Sequence, residues 1–370
     1  MSSSRFIAAV LLAGVVVTAH LALTKQAEWN GTFNLEYLQN YTNRILPNTK
    51  IPIKIPQTGL PGLDNYFAFM TSFFYVTQDP KNIRAHWQGN HLLGTLSSIW
   101  IVMLLETHQK GRSAAFTFMT YFLEVMGELL GIGLFTPIWC IVQLFMTSDT
   151  SQQRKPLQLK PLGFAILIGH VAPTVLMLRT PPDGEGLASQ QIWTIARLFH
   201  PVFVFAVYKV LSILSGMRSS KTAATSSRRT FYLFSILASA FFHVGSLTYL
   251  LAPQMFPGWL NKNVTAALDL IAVLVPVPFW SADVVKKVDM VTGVAVFLQW
   301  DYMCSSAAIV IWAAALYSEV SAKASRNTIE LAGQCLLIGV LAGPGAAAAF
   351  LMQEREAVLQ SGEASEKKTQ

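Results

Sequence analysis

Charge is what this chain has least of. Asp, Glu, Lys and Arg make up 13% of its 370 residues, about half of the roughly 25% found in an ordinary soluble domain. With 52% hydrophobic residues and a mean hydropathy of +0.43, it has too little polar surface to cover a soluble globule of its size. Cysteine is scarce as well. Cys140, Cys304 and Cys335 lie in apolar stretches with no CxxC or Cys/His ligand spacing, so neither a disulfide framework nor a zinc site is implied. Also missing are DDxxD, NDxxD and DxDD, the P-loop, HExxH, GxSxG and GxGxxG. Those absences exclude diphosphate-ionising terpene synthases, UbiA-type prenyltransferases, squalene-cyclase-type acids, ATP-driven pumps, zincins, α/β-hydrolases and Rossmann reductases. No motif asks for a metal or any other cofactor.

What the chain does have is apolar runs of about twenty residues, recurring along its length. They predict an all-α fold, a polytopic integral membrane bundle of about eight to ten spans. Residues 6–23 follow Arg5 and read as a signal anchor or first span, so 1–24 forms an N-terminal unit. Residues 25–90 read as a lumenal segment with a short amphipathic helix. It carries the sequons at Asn30 and Asn40, with a third at Asn263. The catalytic bundle is expected over 91–352, with spans near 92–107, 115–147, 161–178, 191–215, 230–252, 264–281, 290–317 and 329–352. A polar, solvated tail follows from 353 to 370.

The run 115–147 is too long for one upright helix and short for two, with Gly131, Gly133 and Pro137 as break points. Read as a hairpin, it brings three basic loops to one side: Lys110/Arg112, Arg154/Lys155/Lys160 and Arg218/Lys221/Arg228/Arg229. Lys286 and Lys287 join them, and the Asp183/Glu185 loop falls opposite. That is the positive-inside pattern, so the hairpin is the preferred reading. It also accounts for the net charge of +7 as topology-setting charge, and no nucleic-acid partner is implied. Membrane lipids are the implied surroundings.

Against that background the acids stand out. Carboxylates are costly in hydrocarbon, so they usually face a cavity or a partner. Glu124 and Glu128 are four apart in FLEVMGELLG, hence on one helical face. Two like charges that close resist ionising together, so one is expected to keep its proton and act as a general acid. The alternative is that one pairs with a buried base such as Arg197 or Lys209 and only holds helices together. Glu106 ends the run LSSIWIVMLLETH, within reach of the interface. Asp301 stands mid-span in VFLQWDYMC, where reaching water is hard. Asp269 reads as a cap.

Among the other polar and aromatic residues, His170, His200 and His243 occur singly in spans, where a hydrogen-bonded structural histidine is the commoner case. His200 and His243 are nevertheless able to relay a proton. The rings of Trp139, Trp300, Tyr302, Trp280 and Trp312 suit either packing or stabilisation of a cation through their faces.

Several strings together resemble a fungal family of membrane-bound terpene cyclases of the ascofuranone/ascochlorin type, with its epoxide-hydrolase relatives from polyketide pathways. They are LPGLDNYFAFMTSFFYVTQDP, WIVMLLETHQKG, GIGLFTPIWCIVQLFMTS, KPLGFAILIGHVAPTVLML and FLQWDY, spread over about residues 60 to 318. The resemblance implies a cofactor-free enzyme of the endoplasmic reticulum that protonates an epoxidised prenyl chain and steers ring closure. On the matched strings it makes Asp301 and Glu128 the acid/base pair, with Glu106 in reserve; Glu124 stays a catalytic candidate through its spacing from Glu128. Trp300, Tyr302, Trp139 and His243 are the candidate cation-binding residues. Two other readings stay open: an epoxide hydrolase in the same scaffold, and a transporter whose acids carry protons. The 23 Phe, 9 Trp and 10 Tyr favour a caged cation, and no internal repeat favours the transporter.

Overall fold

The computed structural model describes residues 2–33, 45–54, 58–108, 113–146, 159–179, 186–215, 221–258, 264–265, 268–281, 286–321 and 327–366. All regular structure among them is helical, apart from one isolated bridge between Ile45 and Pro52. We number the helices α1 Ser3–Trp29, α2 Pro61–Gln78, α3 Ile83–Thr107, α4 Ala114–Leu130, α5 Ile132–Met146, α6 Leu159–Arg179, α7 Gly186–Leu198 and α8 His200–Ser215. There follow α9 Lys221–Met255, α10 Leu270–Leu274, α11 Met290–Ser318, α12 Thr328–Ala342 and α13 Pro344–Glu366.

Of the described helices, α1, α6, α11 and the 228–255 part of α9 are long and apolar enough to cross a bilayer. The pair α7–α8, bent by 71° around Phe199, would make a fifth. This figure is lower than the eight to ten spans expected: glycines split two apolar runs into shorter helices, α3 does not reach the required length and hydropathy together, and 264–281 is not one helix. At Gly131, φ is +116°, a conformation that favours residues without a Cβ, and the chain turns back. Trp139 Nε1 donates to Thr120 Oγ1 at 2.9 Å, whereas 19 residues of continuous helix would separate them by about 28 Å. The 115–147 run is therefore a hairpin. A second break, at Gly343, brings Gly339 beside Ala347 and folds α13 back along α12.

The 264–281 segment is not a span. It holds the five-residue α10, capped by Asp269, whose Oδ1 accepts from Ile271 N at 3.0 Å. An extended stretch follows, where Pro276 and Pro278 prevent a regular helix. Side chains of α11 hold this segment: Gln299 Nε2 donates to Ala272 O and Val273 O at the end of α10, and Trp300 Nε1 donates to Val277 O in the extended stretch. Lys286 and Lys287 consequently do not join the basic end. They sit where α11 begins, beside the end of α1, and Val288 N donates to Asn30 O.

At the opposite end, Arg5 binds Glu319 and Leu144 O, drawing together α1, α5 and the end of α11. Arg355 with Glu106 and Arg228 with Glu356 add α3, α9 and α13. The 353–370 tail is thus no solvated strand as far as Glu366: α13 continues to that point, with Arg355 and Glu356 buried. The loops carrying Lys110, Arg112, Arg154, Lys155 and Arg218 lie outside the described residues, yet they join helices that end here. At the centre runs α11, started by Asp289, whose carboxylate accepts from Thr292 N. Packed against α1, α3, α5 and α13, it is shared by two apolar clusters. One is built around Trp100, Trp139 and Trp312, the other around Phe69, Phe73, Phe297 and Trp300.

Candidate active site

The second cluster encloses a hollow of about 60 Å³ between α2, α3, the α4–α5 turn, α7 and α11. Asp301 enters it from α11, Glu128 from α4 and Arg197 from α7. All three side chains are buried. Apart from these groups the wall is mostly apolar and aromatic. Phe33, Phe73 and Phe297 form a mutual cluster with ring centroids 5.2 to 6.4 Å apart, and Phe74 adjoins them, its ring 5.4 Å from that of Phe73. The volume is small for a prenyl chain, so such a chain enters only if lining side chains turn aside. Leu178 lines the hollow and is itself 41% exposed, which leaves that wall one side chain thick.

Each acidic group is held differently. Asp301 Oδ1 accepts from the backbone amide of Gly133 at 2.6 Å, at the start of α5, where amides lack helical partners and the helix dipole favours negative charge. Glu128 Oε2 accepts from Arg197 Nη1 in a short, buried ion pair, and the guanidinium also lies over the Phe74 ring, 5.8 Å from its centroid. Glu128 Oε1 has no hydrogen bond among the described residues. The nearest polar neighbour recorded for it is His200 Nδ1, 3.6 Å away. One carboxylate oxygen is therefore clamped and the other open.

The remaining candidates fall elsewhere. Glu124 is buried one turn before Glu128, does not line the hollow, and accepts no hydrogen bond among the described residues. Glu106 pairs with Arg355 at the far end of α3, remote from Asp301. Trp139 donates to Thr120 and packs edge-on against Trp312. Trp300 donates to Val277 O, and Tyr302 lies beside the ring of His91. His243 is fixed between His91 Nε2 and Val340 O, near the end of α12. None of these four lines the hollow. Asn30 is buried, and its Oδ1 accepts from Thr32 N and Thr32 Oγ1, so that sequon is folded inward. Asn40 and Asn263 lie outside the described residues.

The sequence reading overlooked the phenylalanines. Phe297 is four residues before Asp301, on the same face of one helix, and that spacing was a usable signal. Phe33 offered none.

A family model described as the CtvD domain matches residues 7–360. The chain belongs to the CtvD domain family. That CtvD match runs from α1 into α13 and so takes in the whole hollow. Terpene cyclase ascI of Acremonium egyptiacum is 23% identical over 330 residues, covering 84% of this chain and 83% of its own length. Terpene cyclase janA of Penicillium janthinellum is 26% identical over 275 residues, covering 72% and 71%. Terpene cyclase sdgD of Emericella nidulans is 24% identical over 263 residues, covering 70% and 68%. These relatives bear out the resemblance to fungal terpene cyclases. No solved structure matches the chain.

Proposed function

We propose that the chain is a terpene cyclase of fungal secondary metabolism, embedded in the endoplasmic reticulum membrane, that closes rings on an epoxidised prenyl chain attached to a polar head. The observation that carries this is the meeting of Asp301 and Glu128 in one phenylalanine-lined hollow, from helices far apart in sequence. Glu124, Glu128 and Asp301 are three buried carboxyls, and among the described residues only Glu128 of the three is ion-paired, with Arg197. Low-dielectric surroundings do not tolerate the surplus negative charge, so at least one carboxyl stays protonated.

In this reading Asp301 gives its proton to the epoxide oxygen. The C–O bond to the more substituted carbon breaks, and the π electrons of a chain alkene form the new ring bond there. The rings of Phe33, Phe73, Phe74 and Phe297 face the migrating cation and exclude water. Glu128 Oε1 then takes a proton from the final cation, and the C–H electrons become the product alkene. Proton transfer from Glu128 to Asp301 resets the site. The names of the relatives support the reaction class, and the missing metal-binding motifs support a reaction without metal.

The test is Asp301→Asn and Glu128→Gln in microsomes supplied with a farnesyl phenol bearing a terminal epoxide. Each variant should lose about a hundredfold or more of turnover while expression is retained. Unchanged turnover in the Asp301 variant removes that residue from the mechanism. Chelation with EDTA should leave the rate intact. Heavy oxygen from labelled water should stay out of the product, and its incorporation would mark an epoxide hydrolase instead.

A further inference from the structure

Close to Arg197, three of them on residues that do not line the hollow, lie four buried polar groups with no hydrogen-bond partner among the described residues. They are Trp100 Nε1, His170 Nδ1, Arg197 Nε and His200 Nε2. The rings form a close triangle: His170 to His200 is 4.4 Å between centroids, Trp100 to His200 is 4.6 Å and Trp100 to His170 is 5.2 Å. His170 lies in the wide, π-helical turn Leu167–Val171 of α6, a feature that often marks functional sites.

The tautomers follow from the other ring nitrogens. His200 Nδ1 lies 3.0 Å from Arg197 O. A carbonyl only accepts, so Nδ1 carries the hydrogen and Nε2 is a bare lone pair. His170 Nε2 lies 2.9 Å from Ser97 Oγ, and the Ser97 hydroxyl donates its own hydrogen to Leu93 O at 2.9 Å. His170 Nε2 is therefore the donor and its Nδ1 is bare. The cluster presents two acceptors, His170 Nδ1 and His200 Nε2, and two donors, Trp100 Nε1–H and Arg197 Nε–H. That set is the complement of a water molecule, with two hydrogens and two lone pairs; a substrate hydroxyl, with one hydrogen, satisfies three of the four groups, and leaving them unmatched in the interior is costly.

We propose that Trp100, His170, Arg197 and His200 form a binding site for one hydroxyl, either that of a water molecule or that of the polar head of the substrate. The site adjoins the Arg197–Glu128 pair, with His200 Nδ1 3.6 Å from Glu128 Oε1. It makes His170 and His200 positioning residues, which fix the guanidinium and through it the open oxygen of Glu128. The effect on turnover rests on the cyclase reading above. The tautomers and the bound hydroxyl do not.

Two measurements test it. In protein carrying nitrogen-15 histidine in lipid nanodiscs, without substrate, His200 should be protonated on Nδ1 and His170 on Nε2. The bare nitrogens should be hydrogen-bonded acceptors, each from a donor whose hydrogen exchanges with solvent deuterons. The opposite tautomer at either residue, or acceptor nitrogens that stay without a hydrogen bond both before and after the farnesyl phenol is added, overturns the proposal whatever the enzyme does. In microsomes, His170→Phe and His200→Phe are assayed on the epoxidised farnesyl phenol and on its methyl ether. If water occupies the site, kcat falls about tenfold on both compounds, the equivalent of one lost hydrogen bond to a charged group, and KM is kept. If the substrate hydroxyl occupies it, KM rises on the phenol alone. Unaltered kcat and KM on both compounds refute the proposal. Failure of the wild type itself to turn over either compound counts against the cyclase reading only, and the nitrogen-15 result then decides.

Discussion

Asp301, halfway along α11, accepts a hydrogen bond from the backbone amide of Gly133 in the first turn of α5, at 2.6 Å. The contact requires the two helices to cross closely at that level. A Cβ added at Gly133 would stand 2.9 Å from Asp301 O, 3.0 Å from its Cα and 3.0 Å from Cys304 Cβ. Two of those three atoms are backbone, so the helices themselves must move apart.

Gly133→Ala is accordingly expected to destabilise the protein by about 1–3 kcal/mol, the usual range for overpacking. It should also lower turnover by displacing the Asp301 carboxyl. Thermal unfolding in detergent and kcat on the epoxide substrate check the two effects. Wild-type values for both would mean that the crossing is looser than the distances indicate.

Arg197 neutralises Glu128 away from water. Replacing it with Met should cost about 3–5 kcal/mol, because a buried carboxylate loses its counter-charge. Adding Glu128→Gln to that variant should restore most of the stability and none of the activity. A double-mutant cycle on melting temperature measures this, and additive losses would refute the pairing.

Phe297 shares its helix face with Asp301 and packs edge-on to Phe73 at 5.5 Å. Phe297→Ala should leave the protein folded and raise the share of hydroxylated, incompletely cyclised products, since a cation–π contact of about 0.5–2 kcal/mol is lost and water gains entry. Product analysis by mass spectrometry reads this out. An unchanged product mixture would exclude the ring from the cation's path.

At the far end, Glu319 lies just past α11. Burial by itself raises its carboxyl, but hydrogen bonds from Arg5 and Ser2, together with the Arg5 charge, outweigh burial and hold it below the usual carboxylate value. A depressed folded-state value means stability that is present above the unfolded carboxylate range and is lost as pH falls through the folded value. Glu319→Gln should therefore melt earlier at neutral pH and show a shallower loss on acidification. Melting curves of both proteins between neutral pH and about pH 3 test this, and parallel curves would contradict it.

The helical membrane class was legible because it depends on composition and on run length alone. The hairpin was legible from Gly131 together with the distribution of Lys and Arg. The 264–281 error has a definite cause: hydropathy registers apolar side chains and is blind to carbonyls satisfied from outside, here by Gln299 and Trp300. Asp301 and Glu128 could be singled out because acids are rare in such runs. That Glu106 belongs to a separate ion-paired end, with Arg228, Arg355 and Glu356, was hidden in a tail whose polarity looked like solvent exposure. The aromatic wall depends on which helices cross, and only α11 carries a local clue to it.

The turn at Gly131 also bears on how the protein is made. The leg Ala114–Leu130 carries Glu124 and Glu128, two acids whose burial needs neighbours that the leg alone does not supply. The Thr120 hydroxyl is met by Trp139 of the next leg, and Glu128 by Arg197 of α7. The two legs are thus one packing unit, and the Trp139–Thr120 hydrogen bond forms only after both have been synthesised.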